Sequence, residues 1–218
     1  MEPKFWNDRW RSGEIGFHKS EVNDLLMKHW PALDVAAGSD VFVPMCGKSL
    51  DMAWLAERGH RVIGAELSEV AVDAFFEERG LVPEVEVRGD LTVKRAGAYE
   101  IWQGDIFKLS ASAVCNAAAV YDRAALVALP PAMQPRYAAK LKDMLPAAAP
   151  ILLIGLAYPA GQMSGPPFPV DLAQVTDLFS RTHTIWLLES RDGLEQSQNL
   201  KERGMTALEE CVYKLRRK

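Results

Sequence analysis

The chain has 218 residues, with 25 Lys and Arg against 29 Asp and Glu, for a formal net charge of −4. Hydrophobic residues make up 49% and charged residues 25%, the balance of a soluble globular protein long enough to bury its own core. The slight acid excess argues against a nucleic-acid binder, no apolar run approaches the roughly 18 residues of a membrane span, and the first twenty residues hold no secretory stretch, so no signal peptide is expected.

In chain order the first feature is aromatic: Phe5, Trp6, Trp10, Phe17 and His18. The i, i+4 spacing of Trp6 and Trp10 puts both on one face of a short helix. Such a helix packs on the core as an ordinary amphipathic element, or it roofs a cleft as an aromatic lid whose ring faces attract a cation. Residues 40–45 (DVFVPM) predict a strand. Residues 48–58 predict a helix with Leu50, Ala53, Trp54 and Leu55 on one face, followed by Gly59 as a C′ residue. Residues 61–66 (RVIGAE) predict a second strand, and 69–79 a helix with Ser68 as N-cap and Gly80 as its stop. Strands follow at 99–104 (YEIWQG) and 114–121 (VCNAAAVY), a helix at 133–145 and a buried strand at 151–158 (ILLIGLAY). The Pro/Gly cluster at 159–169 reads as a loop, 171–181 as a helix, and 183–189 with 206–215 as an antiparallel closing pair.

Strand–helix alternation of this kind predicts an α/β parallel sheet with helices on both faces. Ligands then bind beyond the carboxyl ends of the strands, which places the site after residues 45, 66, 104 and 122. After the first strand, Gly47-Lys48-Ser49 invites a nucleotide P-loop, but the first glycine of that pattern would be residue 42, which is Phe42. G-x-G-x-x-G is absent too. A single glycine in a tight turn remains, able to present backbone N–H groups and a helix N-terminus to an anionic group. Glu66 ends the second strand, nineteen positions after Gly47, where an acid commonly accepts ribose hydroxyls; the alternative is a helix-capping or surface acid. Gly104-Asp105-Ile106-Phe107 suits the rim of an adenine pocket, or Asp105 is a helix N-cap. Arg123 either holds an anionic substrate in the cleft with its fork of donors or pairs with Asp122 on the surface.

Cys46, Cys115 and Cys211 are odd in number and far apart, and none lies in a CxxC pair. That pattern fits a reducing cytoplasm and gives no zinc site; the four histidines likewise lack metal-ligand spacing, so no metal is expected. No repeat, linker or coiled-coil pattern interrupts the chain. One domain over residues 1–218 is expected, with 1–30 as a lid segment and 40–218 as the core, and a monomer is the default.

Several stretches together carry a family resemblance: FWNDRW (5–10), GFHKSEVN (16–23), FVPMCGKSLDMAWLAERGHRVIGAELSEVAVDAFF (42–76), GDIF (104–107), YDRAALVALPP (121–131), GPPFPV (165–170) and EECVYKL (209–215). In these the chain resembles the thiopurine S-methyltransferase family, and most its bacterial members. The resemblance implies the class I S-adenosyl-L-methionine-dependent methyltransferase fold: a Rossmann-like, mostly parallel seven-stranded sheet with helices on both faces and an N-terminal helical lid. It places Trp6 and Trp10 beside the methionine part of the cofactor. Met45 and Gly47 contact the cofactor, Glu66 the ribose, Ile106 and Phe107 the adenine. Arg123 sits at the boundary of cofactor and substrate, and Phe17 and His18 lie on the substrate side. Two stretches depart from the family pattern, 115–120 and 195–203, and neither Lys201 nor Arg203 receives a role.

The implied activity is methyl transfer to the sulfur of aromatic or heterocyclic thiols such as thiopurines, extending to selenium or tellurium oxyanions. Arg123 is the candidate cation that favours the thiolate, and His18 a relay for its proton through water. A halide or thiocyanate methyltransferase of the same fold, or a catalytically silent cofactor-binding module, are the alternatives.

Overall fold

The structure is a computed structural model that describes residues 3–195, 197–202 and 204–218, the side chains of residues 198 and 199 excepted. Its helices are α1 (Pro3–Ser12), α2 (Asp24–His29), α3 (Leu50–Glu57), α4 (Glu69–Glu77), α5 (Gln134–Met144), α6 (Leu172–Phe179) and α7 (Gln198–Glu202). The strands are β1 (Asp40–Pro44), β2 (Arg61–Glu66), β3 (Glu84–Arg88), β4 (Leu91–Ala96), β5 (Tyr99–Gln103), β6 (Ala117–Arg123), β7 (Ile151–Ala157), β8 (His183–Asp192) and β9 (Glu209–Arg217).

One sheet holds all nine strands, in the order β3-β4-β5-β2-β1-β6-β7-β9-β8. The five central strands, β5 to β7 in that order, are parallel. The outer pairings β3–β4, β4–β5, β7–β9 and β8–β9 are antiparallel. Strand alternation sends side chains to two separate cores. Val41 and Val43 join the layer under α2, α3 and α4, while Phe42 joins the layer under α5 and α6.

An α/β sheet is observed, but seven strands become nine and the sheet is mixed rather than mostly parallel. The two additional strands form the hairpin β3–β4, which turns at Gly89-Asp90 with Gly89 at φ 62°. All of β3 is exposed, although its alternation of Glu and Val is itself a strand signal that the seven-strand reading leaves out. The two-residue Gly-Asp turn was a second signal.

The fourth predicted strand is displaced. Residues 111–113 form a 3-10 turn, and β6 starts at Ala117 and runs through Arg123. Its alanine-rich sequence carries no alternation of its own; pairing with β1 and β7 sets its position. Ser49 caps α3, accepting the Asp51 N–H at 3.1 Å. Ser68 stands at the N-cap position of α4 but makes no cap bond with its side chain, whose hydroxyl is buried without a partner. The closing strands β8 and β9 pair antiparallel as expected.

Candidate active site

Parallel pairing of β1, β2, β5 and β6 brings their carboxyl ends to one edge of the sheet, so four loops converge there. The β1–α3 loop is the tightest. Met45 and Gly47 both adopt positive φ, 46° and 52°, and Cys46 N–H donates to the Ala65 carbonyl at 3.0 Å. A non-glycine residue such as Met45 tolerates that backbone region only when its surroundings hold it there.

Glu66, at the end of β2, is buried and uses both oxygens. Oε2 accepts the Gly47 N–H and Oε1 accepts the Ser68 N–H, each at 2.8 Å. Burial pushes its carboxyl above the usual range, and the amides of Ser68, Gly47 and Leu67 offset part of that rise. Each oxygen keeps lone-pair capacity for a further donor. Gly104 N–H donates to the Glu66 carbonyl at 2.7 Å and joins the third loop to the second. Asp105 accepts the Phe107 N–H at 2.9 Å, so it is an N-cap, and it also lines the cavity.

The N-terminal helix folds over this edge. Phe17 stands edge-on to both indoles, with centroids 5.5 Å from Trp6 and 5.4 Å from Trp10. Trp10 is buried and lies against Gly47: a Cβ there would sit 3.0 Å from Trp10 Cζ2. A side chain at 47 would therefore press on the lid as well as strain the backbone.

Register on β6 decides the fate of Asp122-Arg123. Asp122 points to the α5 side, where it accepts from the Tyr137 hydroxyl at 2.7 Å and the Leu126 N–H at 3.1 Å. Burial raises it to about 6. Arg123 points the other way, its Nη1 3.9 Å from Asp51 Oδ2. The surface Asp122–Arg123 pair therefore does not form. Lys48, the residue that suggested a P-loop, pairs with Glu78. His18 lies among Lys48, Glu78, Arg123 and Arg79; burial first, then the neighbouring cations, lower its pKa below 6.5.

A cavity of about 470 Å³ runs along these loops. Trp6, Trp10, Phe17, His18, Met45, Gly47, Glu66, Ile106, Phe107 and Arg123 all line it. So do residues that sequence reasoning passed over. Asp51 looks like a first-turn acid favoured by the helix dipole, which hides its other contacts. Tyr121 was read only as a strand end. Arg136, on α5, lies 4.0 Å over the Phe107 ring, and nothing local in the sequence joins the two. At the far end Glu210 lines the cavity and is held by Arg191 Nη2 at 2.8 Å. Lys201 is exposed, and Arg203 lies outside the described residues.

The family model for thiopurine S-methyltransferase matches residues 1–218. The chain belongs to the thiopurine S-methyltransferase family. It is 50% identical over 216 residues to a thiopurine S-methyltransferase of Pseudomonas fluorescens (strain Pf0-1), covering 99% of each chain. It is 48% identical over 218 residues to that of Azotobacter vinelandii, covering 100% of each. The fold likeness reaches further than sequence. A Burkholderia thailandensis 1,6-didemethyltoxoflavin-N1-methyltransferase, solved with 1,6-didemethyltoxoflavin and S-adenosylhomocysteine, superposes with a TM-score of 0.67 at 13% identity, over 99% of this chain and 86% of that one. This member of the thiopurine S-methyltransferase family is thus an S-adenosylmethionine-dependent methyltransferase of the class I fold. Among the described residues, no helix is long and apolar enough to cross a membrane.

Proposed function

We propose that the chain transfers the methyl group of S-adenosyl-L-methionine to the sulfur of a small aromatic or heterocyclic thiol, thiopurines included. The observation that carries this reading is one continuous cavity with Glu66 at the sheet edge, two indoles and Phe17 at the lid and Arg123 alongside. The residues present fit the donor. Glu66 is a buried carboxylate whose two oxygens each accept one backbone amide and keep capacity for a further donor, suited to sugar hydroxyls. Gly47 lets the loop backbone pass directly under Trp10, where a Cβ would come within 3.0 Å of the indole. Ile106 and Phe107 offer apolar faces to a flat base.

When bound, the donor supplies a methyl group made electrophilic by its sulfonium charge. The chain's own residues do the rest. Arg123 favours the thiolate over the thiol by placing a cation beside it. His18, kept neutral by burial and by its cationic neighbours, can accept a proton through water. Trp6, Trp10 and Phe17 roof the site, offer ring faces to a cation and exclude water. Holding the two reactants in line removes several kcal/mol, with about 7–11 as the ceiling for ideal orientation.

The same reading takes residues 1–218 as one domain, with 1–30 as lid and 40–218 as core. It acts as a cytoplasmic monomer on a small molecule, without nucleic-acid or membrane partners. The net charge of −4 supports the reading without nucleic acid, and the three free cysteines support a reducing compartment. A labelled-methyl assay tests the reading with aromatic thiols, a thiopurine, selenite, tellurite, iodide and thiocyanate. Transfer to the thiols is expected. Transfer to iodide or thiocyanate without the thiols would replace it with the halide reading, and no transfer at all would leave only a binding module.

A further inference from the structure

We infer that Asp51 is the positioning residue that aims Arg123 and Tyr121 into the cavity and ties both to the root of the N-terminal lid. The inference rests on the reading of Arg123 as the cation that receives the substrate thiolate.

Asp51 is 1% exposed, in the first turn of α3. Its Oδ1 accepts the Asn23 N–H at 2.8 Å. Its Oδ2 accepts the Tyr121 hydroxyl at 2.9 Å and lies 3.9 Å from Arg123 Nη1. Tyr121 and Arg123 stand two apart on β6, so both emerge on the α3 side. Asp51, Tyr121 and Arg123 all line the cavity. Asn23 is the N-cap of α2, accepting the Leu26 N–H at 3.1 Å, and it is where the lid segment rejoins the core.

A carboxylate this deeply buried is tolerated only where donors or cations compensate it. Here the compensating groups are the lid root and two groups of the cavity wall. Burial and the Asp51 charge raise the Tyr121 phenol well above its usual range, so it stays a donor to Asp51. Asp51 lies beside one end of the Arg123 fork at ion-pair rather than hydrogen-bond distance, so it attracts the guanidinium electrostatically and leaves its five N–H donors free to turn to a ligand. One acid therefore sets both the position of that fork and its distance from the lid. Besides Asp51, Arg123 and Glu210 act on Tyr121, and Arg123 together with Lys48, Glu78 and Arg79 acts on His18. An Asp51→Asn change removes none of these other charges.

The experiment titrates an aromatic thiol bound to the enzyme–S-adenosylhomocysteine complex, following thiolate absorbance, so it needs no turnover. Wild type should hold the thiol's pKa below its solution value. Asp51→Asn removes an anion, which alone would lower the thiol's pKa, so a rise of about one unit, a tenfold change in ionisation, reports a misdirected Arg123, and a fall overturns the inference. Arg123→Met should raise the thiol's pKa at least as far, and the double variant no further than Arg123→Met alone. If Arg123→Met moves the value and Asp51→Asn does not, the role of Asp51 is overturned while that of Arg123 stands. Additive shifts in the double variant overturn it too, because Asp51 would then act independently of Arg123. A wild-type value in Arg123→Met defeats the underlying reading of Arg123. Should Asp51→Asn not accumulate folded, Asp51→Glu keeps the charge on a longer arm and should fall between wild type and Arg123→Met; a wild-type value there overturns the inference.

Discussion

Replacing Glu66 by Gln removes one charge and one acceptor at nearly constant volume. In the native site its two oxygens serve the Gly47 and Ser68 amides at 2.8 Å each. Glutamine offers one oxygen, so one of those buried amides meets an NH2 group instead. A buried donor left without a partner costs about 1–3 kcal/mol, which destabilises the β1–α3 loop or the start of α4. The remaining oxygen is then committed to backbone, and the sugar hydroxyls of the donor lose their charged acceptor. A hydrogen bond to a charged group contributes about 1.5–3 kcal/mol, and each 1.4 kcal/mol is tenfold, so the affinity should fall by about 10- to 150-fold. Isothermal calorimetry with S-adenosyl-L-methionine and S-adenosylhomocysteine measures that loss. An analogue of the latter lacking both ribose hydroxyls separates the two effects: Glu66→Gln should barely change its affinity. An equal loss for the analogue, or unchanged affinity for the natural ligands, refutes the ribose contact.

Trp10→Ala removes the ring that lies on Gly47 and faces Phe17. Donor affinity should fall, with lower turnover; wild-type calorimetric affinity would reject the lid role. Asp122 has a folded pKa of about 6 against an ordinary 3.8. Because folding raises it, its protonated form is favoured in the native state, and stability falls as pH rises from about 4 through about 6, by about 3 kcal/mol in all. Urea unfolding of wild type should therefore lose stability relative to Asp122→Asn over that window, and a pH-independent difference between the two would contradict the assignment. His18, depressed by burial and by Lys48, should titrate below 6.5 by NMR, and a midpoint at or above 6.5 would remove it as a neutral proton acceptor.

The loops were legible where chemistry and strand ends coincide. Glu66 stands out because β2 ends in an acid after an apolar run, and Trp6 with Trp10 because helical spacing puts both on one face. Asp51 was not legible. It lies in sequence between Leu50 and Met52, but its partners are Asn23 and Tyr121, brought to it by the lid root and by β6. Arg136 over Phe107 is the same case, joined only by the packing of α5 on the sheet. The hairpin β3–β4 was legible in principle, from the Glu–Val alternation of β3 and the Gly89-Asp90 turn, and only its fully exposed outer strand sets it apart from the other strands.

By itself, the order of apolar runs and turns determined an α/β sheet and the edge where its loops line a cavity, because strand period, helix period and short right-handed connections are local properties. Only the tertiary structure decided which way Asp122 and Arg123 face. Their side chains diverge on opposite sides of β6, and that choice depends on the register with β1 and β7, which distant residues set.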